Sequence, residues 1–282
     1  VAVTAADVKK LREITGAGML DCKKALSEAD GDFRKAERIL KEQGMAAAEK
    51  RRGRATNEGR IFSKVKDGKG GLLELACETD FVARNKDFIE FGEEVITAII
   101  DENLREISLE IENRVKEIIS TLKENITIRR FDTLFAEENE ILVDYIHGEG
   151  SIGVIVKMQA ENGDALHDDR VTNLAFDCAL HVAAFNPMYL SKDTVDEDYL
   201  KEQEEIFKSQ AEKLGKPEKV LEGIVKGKLN KHLSEICLVN QGFVKEEKKS
   251  VQQVMDEVGK QVGTKLSITD FLYYRVGEEL SS

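Results

Sequence analysis

Leu72-Leu73-Glu74-Leu75-Ala76-Cys77, Glu78-Thr79-Asp80-Phe81-Val82-Ala83-Arg84-Asn85-Lys86 and Asp87-Phe88-Ile89-Glu90-Phe91-Gly92-Glu93-Glu94-Val95-Ile96 follow one another, and their reading decides the fold. The first is an apolar run of strand length. The third brings Phe88, Phe91 and Val95 round at helical spacing, which predicts a helix to about Ile100. The segment between them should be polar and solvated, yet it carries Phe81 and Val82 beside Asp80. Either Phe81 tucks under the sheet as ordinary core, as large apolar side chains do, or the Asp-Phe pair is presented to another protein.

Upstream, Ile61 to Val65 reads as a strand and meets the Leu72–Cys77 run through Lys66-Asp67-Gly68-Lys69-Gly70. Its Asp-Gly pair predicts a hairpin turn. These glycines are not a phosphate loop, because the G-x-x-x-x-G-K-[ST] spacing is absent and no helix follows directly.

Downstream, Ser108 to Leu122 carries Ile111, Val115, Ile118 and Leu122 on one helical side. Ile126 and Ile128 alternate with Thr127 and Arg129 as a strand. A second hairpin spans Ile141 to His147, a Gly148-Glu149-Gly150 turn, and Ile152 to Met158. A helix follows from about Asp169 to Phe185, stopped by Asn186-Pro187. Nine residues separate Cys77 from Asp87, and nine separate Met158 from Asp168. The plan of hairpin, connector and helix therefore occurs twice. An offset of 81 residues sets Asp80, Phe81 and Val82 opposite Glu161, Asn162 and Gly163. The second connector has no aromatic, so the fold of such a unit does not require Phe81.

Before the first unit, three short helices are predicted. Thr4 and Asp7 form a capping box, and Val8, Leu11 and Thr15 give the first helix one face, which Ile14 widens. The second helix, from about Leu20 to Ala29, buries Cys22, Ala25 and Leu26. Asp32 caps the third, which uses Phe33, Ala36, Ile39 and Leu40 and should end at Gly44. Ala46 to Arg60 contains Lys50, Arg51, Arg52, Arg54 and Arg60 without an apolar face, and reads as a solvated basic linker. After the second unit, Thr194-Val195-Asp196-Glu197 reads as a capping box. Leu200, Phe207 and Leu214 recur at steps of seven, Gly215-Lys216-Pro217 makes a corner, and Val220, Leu221, Ile224, Val225 and Leu229 return. A narrow apolar seam amid charge predicts an antiparallel helical hairpin. Leu238 to Val244 rejoins the core, Ser250 caps a short helix, and Lys265 to Val276 forms the last strand.

Composition narrows the function. A net charge of −12 disfavours a general nucleic-acid binder, which needs clustered Lys and Arg to neutralise phosphates. Cys22, Cys77, Cys178 and Cys237 lie far apart with no C-x-x-C pair, so they read as small buried hydrophobes in a reducing, cytoplasmic protein. No apolar run is long enough for a bilayer, and no signal segment opens the sequence. His147, His167, His181 and His232 have no metal-ligand spacing. His181 lies on an apolar helical face as a core histidine, whereas His147 sits at a hairpin tip. No nucleophile elbow, Cys/His pair or dinucleotide fingerprint is present. The expectation is a protein that works by contact, with no catalytic residue, cofactor or metal. One contact class is an adaptor whose N-terminal helices hold a ubiquitin-like partner or a nascent chain.

Several stretches carry a family resemblance. Leu11-Arg12-Glu13-Ile14-Thr15-Gly16-Ala17-Gly18-Met19-Leu20-Asp21-Cys22-Lys23-Lys24-Ala25-Leu26 and Glu78-Thr79-Asp80-Phe81-Val82-Ala83-Arg84-Asn85 closely resemble the bacterial elongation factor Ts family. Asn125 to Arg130, His147-Gly148 and His181-Val182-Ala183-Ala184 match further stretches of it. The resemblance implies an α+β fold: residues 1–54 a UBA-like three-helix domain with a basic linker, 55–140 a core N-subdomain, and 141–282 a core C-subdomain. The core is a duplication of two αβ subdomains with antiparallel strands, and the coiled-coil hairpin is inserted at about 194–233.

The same resemblance implies guanine-nucleotide exchange on elongation factor Tu, without covalent chemistry, direct nucleotide binding, nucleic acid or membrane. Phe81 would be a wedge, Asp80 would help displace the elements holding Mg²⁺ and the GDP phosphates, and Thr79 and Val82 would support the loop. Arg12, Met19, Leu20, Lys23, Asn125, His147 and Val244 would be further partner contacts. Two positions depart from the family pattern: Leu122-Lys123 stands where an Ile-Gly pair is common, and Lys245 where a Met is common. A homodimer through the core or the hairpin stays open.

Overall fold

Thr4 and Asp7 close the expected capping box, and α1 (Ala5–Thr15) follows until Gly16 ends it in the left-handed region. This computed structural model describes residues 3–280 of the chain. α2 (Met19–Glu28) and α3 (Phe33–Arg51) complete a three-helix unit whose interior is Val8, Leu11, Cys22, Ala25, Leu26, Ala36 and Leu40, while Ile14 is exposed and does not widen the α1 face. Asp32 caps α3 as expected, its carboxylate accepting from the Lys35 N–H at 3.0 Å.

Gly44 does not end that helix. It sits tight against the core, since a Cβ there would come within 2.8 Å of the Ser120 Cβ. The helix continues to Arg51, so the basic linker shrinks to the few residues before β1 (Glu58–Lys66). Ala48, on the added turns, is buried among first-unit core residues, which explains the continuation.

β1 and β2 (Lys69–Cys77) pair through a two-residue Asp67-Gly68 turn in which both φ are positive, at 50° and 72°. That backbone matches the twist of the strands it joins. A short helical turn, α4 (Asp80–Ala83), then precedes α5 (Lys86–Glu102) and α6 (Leu109–Leu122). β3 (Ile126–Phe135) returns on the other side of β2, giving the antiparallel order β1-β2-β3. The second unit repeats this with β4 (Glu140–His147), β5 (Ile152–Ala160), α7 (Asp169–Phe185) and a final strand. Before that strand, α8 (Glu197–Glu212) and α9 (Glu218–Ile236) form an antiparallel pair, and β6 (Gly242–Phe243) and β7 (Glu246–Ser250) form a small ribbon. α10 (Val251–Val262) and β8 (Leu266–Arg275) close the order β4-β5-β8.

Side-chain alternation along the central strands explains the layering. Leu73, Leu75 and Cys77 face α5 and α6, and Val154, Val156, Met158 and Ala160 face α7 and α10. The opposite faces supply Ile61, Leu72, Leu142, Ile155 and Tyr274, which pack the two sheets together. The fold class is therefore α+β with two antiparallel three-stranded sheets.

The structure corrects the offset between the units. In both sheets the register shifts at matching places on the central strand, between Glu74 and Leu75 of β2 and between Lys157 and Met158 of β5, where Arg129 of β3 and Thr269 of β8 are the extra residues. Thr79 and Asn162 cap the short turns that follow, and Asn85 and Asp168 cap the long helices. Each pair is 83 residues apart, so Asp164, not Asn162, stands opposite Phe81. Two residues of β5 beyond Met158 remain in the strand, which the apolar pattern alone did not show.

Two details of the helical pair also differ. Asp196, rather than Thr194, caps α8, accepting from the Asp198 and Tyr199 N–H groups, while Thr194 joins a separate capping box with Ser191. Leu214 lies past the end of α8 and is exposed; Ala211 is the buried seam residue instead.

Candidate functional site

Phe81 is 82% exposed, more than any other exposed large hydrophobic among the described residues. Its neighbours are anchored. Val82 packs against the first-unit core and Ala83 is buried. The alternation is that of a helical turn whose inner side grips the core while Phe81 occupies the outer side.

The turn is held from beneath. Thr79 Oγ1 accepts from the Val82 N–H at 3.4 Å, and it donates its own proton to Glu124 Oε1 at 2.7 Å. The Thr79 N–H donates to Glu124 Oε2 at 3.0 Å. Cys77 donates its thiol proton to the Thr79 carbonyl at 3.1 Å. Burial pushes that thiol up to about 12, with the Glu124 charge adding to the effect, so the proton stays in place at neutral pH. Glu78, one residue past β2, in turn accepts the Asn125 N–H at 2.6 Å.

Asp80 lies on the same turn, 3.8 Å from Arg84, which is in turn 3.7 Å from Glu149. Asp80, Ala83 and Arg84 share a cleft of ≈ 450 Å³ with Gly148, Glu149, Ser151 and Arg275. The structure thus brings the Asp80 turn of the first unit against the hairpin tip of the second. His147 begins that tip and is exposed, with Nδ1 3.0 Å from the Tyr145 hydroxyl. Tyr145 meets the exposed Phe176 edge-on at 5.7 Å.

The N-terminal candidates form their own surface. Met19 and Leu20 are exposed at the start of α2 with Lys23 one turn further on, and Arg12 is exposed on α1. This unit is fixed to the core by Lys41–Glu117 and Lys123–Asp21, both at 2.8 Å. Lys123 also has a φ of 63°, the left-handed region that ends α6. That conformation favours glycine.

Two candidates are placed differently from a simple surface contact. Asn125 is buried, and its side-chain amide donates to the Arg54 carbonyl at 2.8 Å, so it pins the linker to the core. Val244 is half-buried in the turn between β6 and β7, and its N–H donates to His181 Nδ1 at 3.1 Å. His181 is fully buried, as expected of a core histidine, with Nε2 2.9 Å from Gln241 Oε1. Burial holds its pKa below the usual imidazole value.

Sequence reading missed Arg84, Glu124 and Glu149. Arg84 follows Asp80 at the i,i+4 spacing of a helix, which was a usable signal. Glu124 contacts a residue 45 positions away, and no local pattern marks it.

Among the described residues, no cluster of His, Cys, Asp or Glu is arranged to hold a metal ion, and no helix is long and apolar enough to cross a membrane.

Residues 78–278 match the family model described as Elongation factor TS. The chain is 45% identical over 275 residues to elongation factor Ts of Treponema denticola, covering 98% of each chain. It is 46% identical over 278 residues to that of Borrelia recurrentis, covering 98% of this chain and 100% of the relative. The value for Borreliella burgdorferi is 46% over 272 residues, covering 96% and 98%.

Proposed function

The chain belongs to the elongation factor Ts family, so its role is in translation elongation, and on that premise we propose that it binds elongation factor Tu·GDP and promotes GDP release. The observation that carries this reading is the exposed Phe81 ring on a turn whose backbone is tied down at Thr79. A large apolar side chain held out in water gains free energy when a partner covers it. Phe81 is the wedge in this reading. Asp80 sits beside it and disturbs the elements of the partner that hold Mg²⁺ and the GDP phosphates. Thr79 and Val82 fix the turn.

Magnitudes require more than the wedge. A thousandfold acceleration of GDP release needs about 4 kcal/mol of barrier reduction. Burying one Phe supplies about 1.5–3 kcal/mol, and ordering the complex consumes part of it. The remaining contacts come from Arg12, Met19, Leu20 and Lys23 on the N-terminal unit, from His147 at the second hairpin tip, and from Val244. Asn125 contributes by holding the linker in place.

In this reading residues 1–54 are a UBA-like docking domain with its linker, and 55–140 and 141–282 are the two related core subdomains. The α8–α9 pair, at about 194–233, is the family's coiled-coil module. Exchange proceeds by competing binding equilibria, with no covalent step on this chain, and by reciprocity GDP weakens its binding by the factor by which it weakens that of GDP. Stopped-flow release of a fluorescent GDP from elongation factor Tu tests the proposal. Acceleration that rises with the concentration of this chain and saturates is expected; an unchanged rate overturns it.

A further inference from the structure

Phe81 makes too little contact with its own protein to orient itself, so its direction is set by the backbone below it. The geometry points to Glu124 as a positioning residue for Phe81, acting through Thr79; this rests on the exchange-factor reading above.

The argument is one of proton direction. A threonine hydroxyl has one hydrogen to give. Thr79 gives it to Glu124 Oε1, which leaves the oxygen's lone pairs for the Val82 N–H that starts the Phe81 turn. The second oxygen of the same carboxylate takes the Thr79 N–H. One side chain therefore fixes both the backbone and the hydroxyl of the capping residue.

The second unit serves as an internal comparison. At the equivalent place the Asn162 N–H donates to Thr264 Oγ1 at 2.9 Å, and Asn162 Oδ1 caps the Asp164 N–H without help. The capping residue itself is thus held by one neutral side-chain bond there, while Glu161 beside it donates its N–H to the Lys265 carbonyl at 3.0 Å and pairs with the Lys265 ammonium at 4.0 Å. The first unit adds a second bond and a charge, and charge-assisted bonds are the stronger kind. That addition falls in the unit that presents an exposed aromatic, while the other unit presents Asp164.

The test is GDP release from elongation factor Tu measured over a range of concentrations, so that the maximal rate and the half-saturating concentration separate. Glu124→Ala should lower the maximal rate about tenfold, the worth of one charge-assisted hydrogen bond, with the half-saturating concentration nearly unchanged. Glu124→Gln, which is isosteric and keeps one acceptor, should fall between the two. Thr264→Val, the matched loss in the second unit, should leave the maximal rate intact. In a Phe81→Ala background, Glu124→Ala should cause no further loss, because both act through one ring.

A full rate from Glu124→Gln and Glu124→Ala, an undiminished second loss in the Phe81→Ala background, or an equal slowing by Thr264→Val would each overturn the inference alone. No acceleration by the unaltered chain removes the exchange reading and this inference with it; a full rate from Phe81→Ala leaves exchange standing but removes the wedge role of Phe81, and with it this inference.

Discussion

Thr79 and Asn162 hold the same place in the two halves of the core, each capping a short helical turn that follows the central strand of its sheet. The second and fourth positions after them match in burial as well as in sequence order. Phe81 and Asp164 are both exposed, and Ala83 and Leu166 are both buried. A carboxylate satisfies the second unit where the first has a phenyl ring. Packing therefore does not call for an aromatic at this position, and its presence there needs a reason outside the folded chain.

Phe81→Ala separates the two possibilities. Because the ring is 82% exposed, its removal should leave the melting temperature unchanged. The maximal rate of GDP release should fall about tenfold or more, since docking buries a ring worth about 1.5–3 kcal/mol. Thermal unfolding and stopped-flow release on the same preparation check both halves. A melting temperature lowered as much as by a core substitution would return Phe81 to a structural role.

Glu74 gives a prediction about stability. It is fully buried, yet it pairs with Arg129 at 2.9 Å and Arg130 at 2.8 Å and accepts the Gly277 N–H at 3.0 Å. Replacing it with Ala takes the carboxylate partner from Arg129, leaves Arg130 with Glu278 alone, and removes the acceptor of the Gly277 N–H near the C-terminal end of β8. Breaking a buried pair in this way costs about 3–5 kcal/mol. Urea denaturation should show a lower midpoint with the slope unchanged.

The elements of this fold were legible where local pattern decides them. Thr4, Asp32 and Ser250 announce their helices, and Asp67-Gly68 announces its hairpin, because caps and turns depend on a few adjacent residues. The failures lie where a distant contact decides. Gly44 looks like a helix end until Ser120 is set against it. The true offset between the units depends on strand bulges and caps that hydrophobic pattern does not register. The presented Asp80-Phe81 pair was legible as an anomaly, an aromatic in a connector, while the carboxylate beneath it at Glu124 was not.

Two helix glycines should respond to alanine with opposite signs. At Gly44 the new Cβ would press on Ser120, and overpacking of this kind costs about 1–3 kcal/mol, more than the roughly 1 kcal/mol that alanine adds to helix propensity. At Gly223, within α9, nothing lies within 4 Å of the new Cβ. There the propensity gain of up to about 1 kcal/mol stands alone. Thermal melts should show Gly44→Ala below the unaltered chain and Gly223→Ala at or above it.

His181 predicts how stability follows pH. Its Nδ1 accepts the Val244 N–H, so Nε2 carries the proton that goes to Gln241 Oε1. Adding a second proton would set an N–H against the Val244 N–H in a fully buried site between Phe185 and Phe243. Burial accordingly lowers the folded pKa below the ordinary 6.5. Above that value both folded and unfolded chains hold the neutral ring, and the contribution is complete. As pH falls from 6.5 towards the folded pKa, the unfolded chain takes up a proton that the folded chain refuses. Stability from this group then declines by about 1.4 kcal/mol per pH unit. The first region to loosen should be the β6–β7 ribbon that carries Val244. Denaturation midpoints of the unaltered chain and of His181→Gln, compared from pH 7.5 down to 5, should converge as the pH drops. Parallel curves would mean that His181 does not couple protonation to folding.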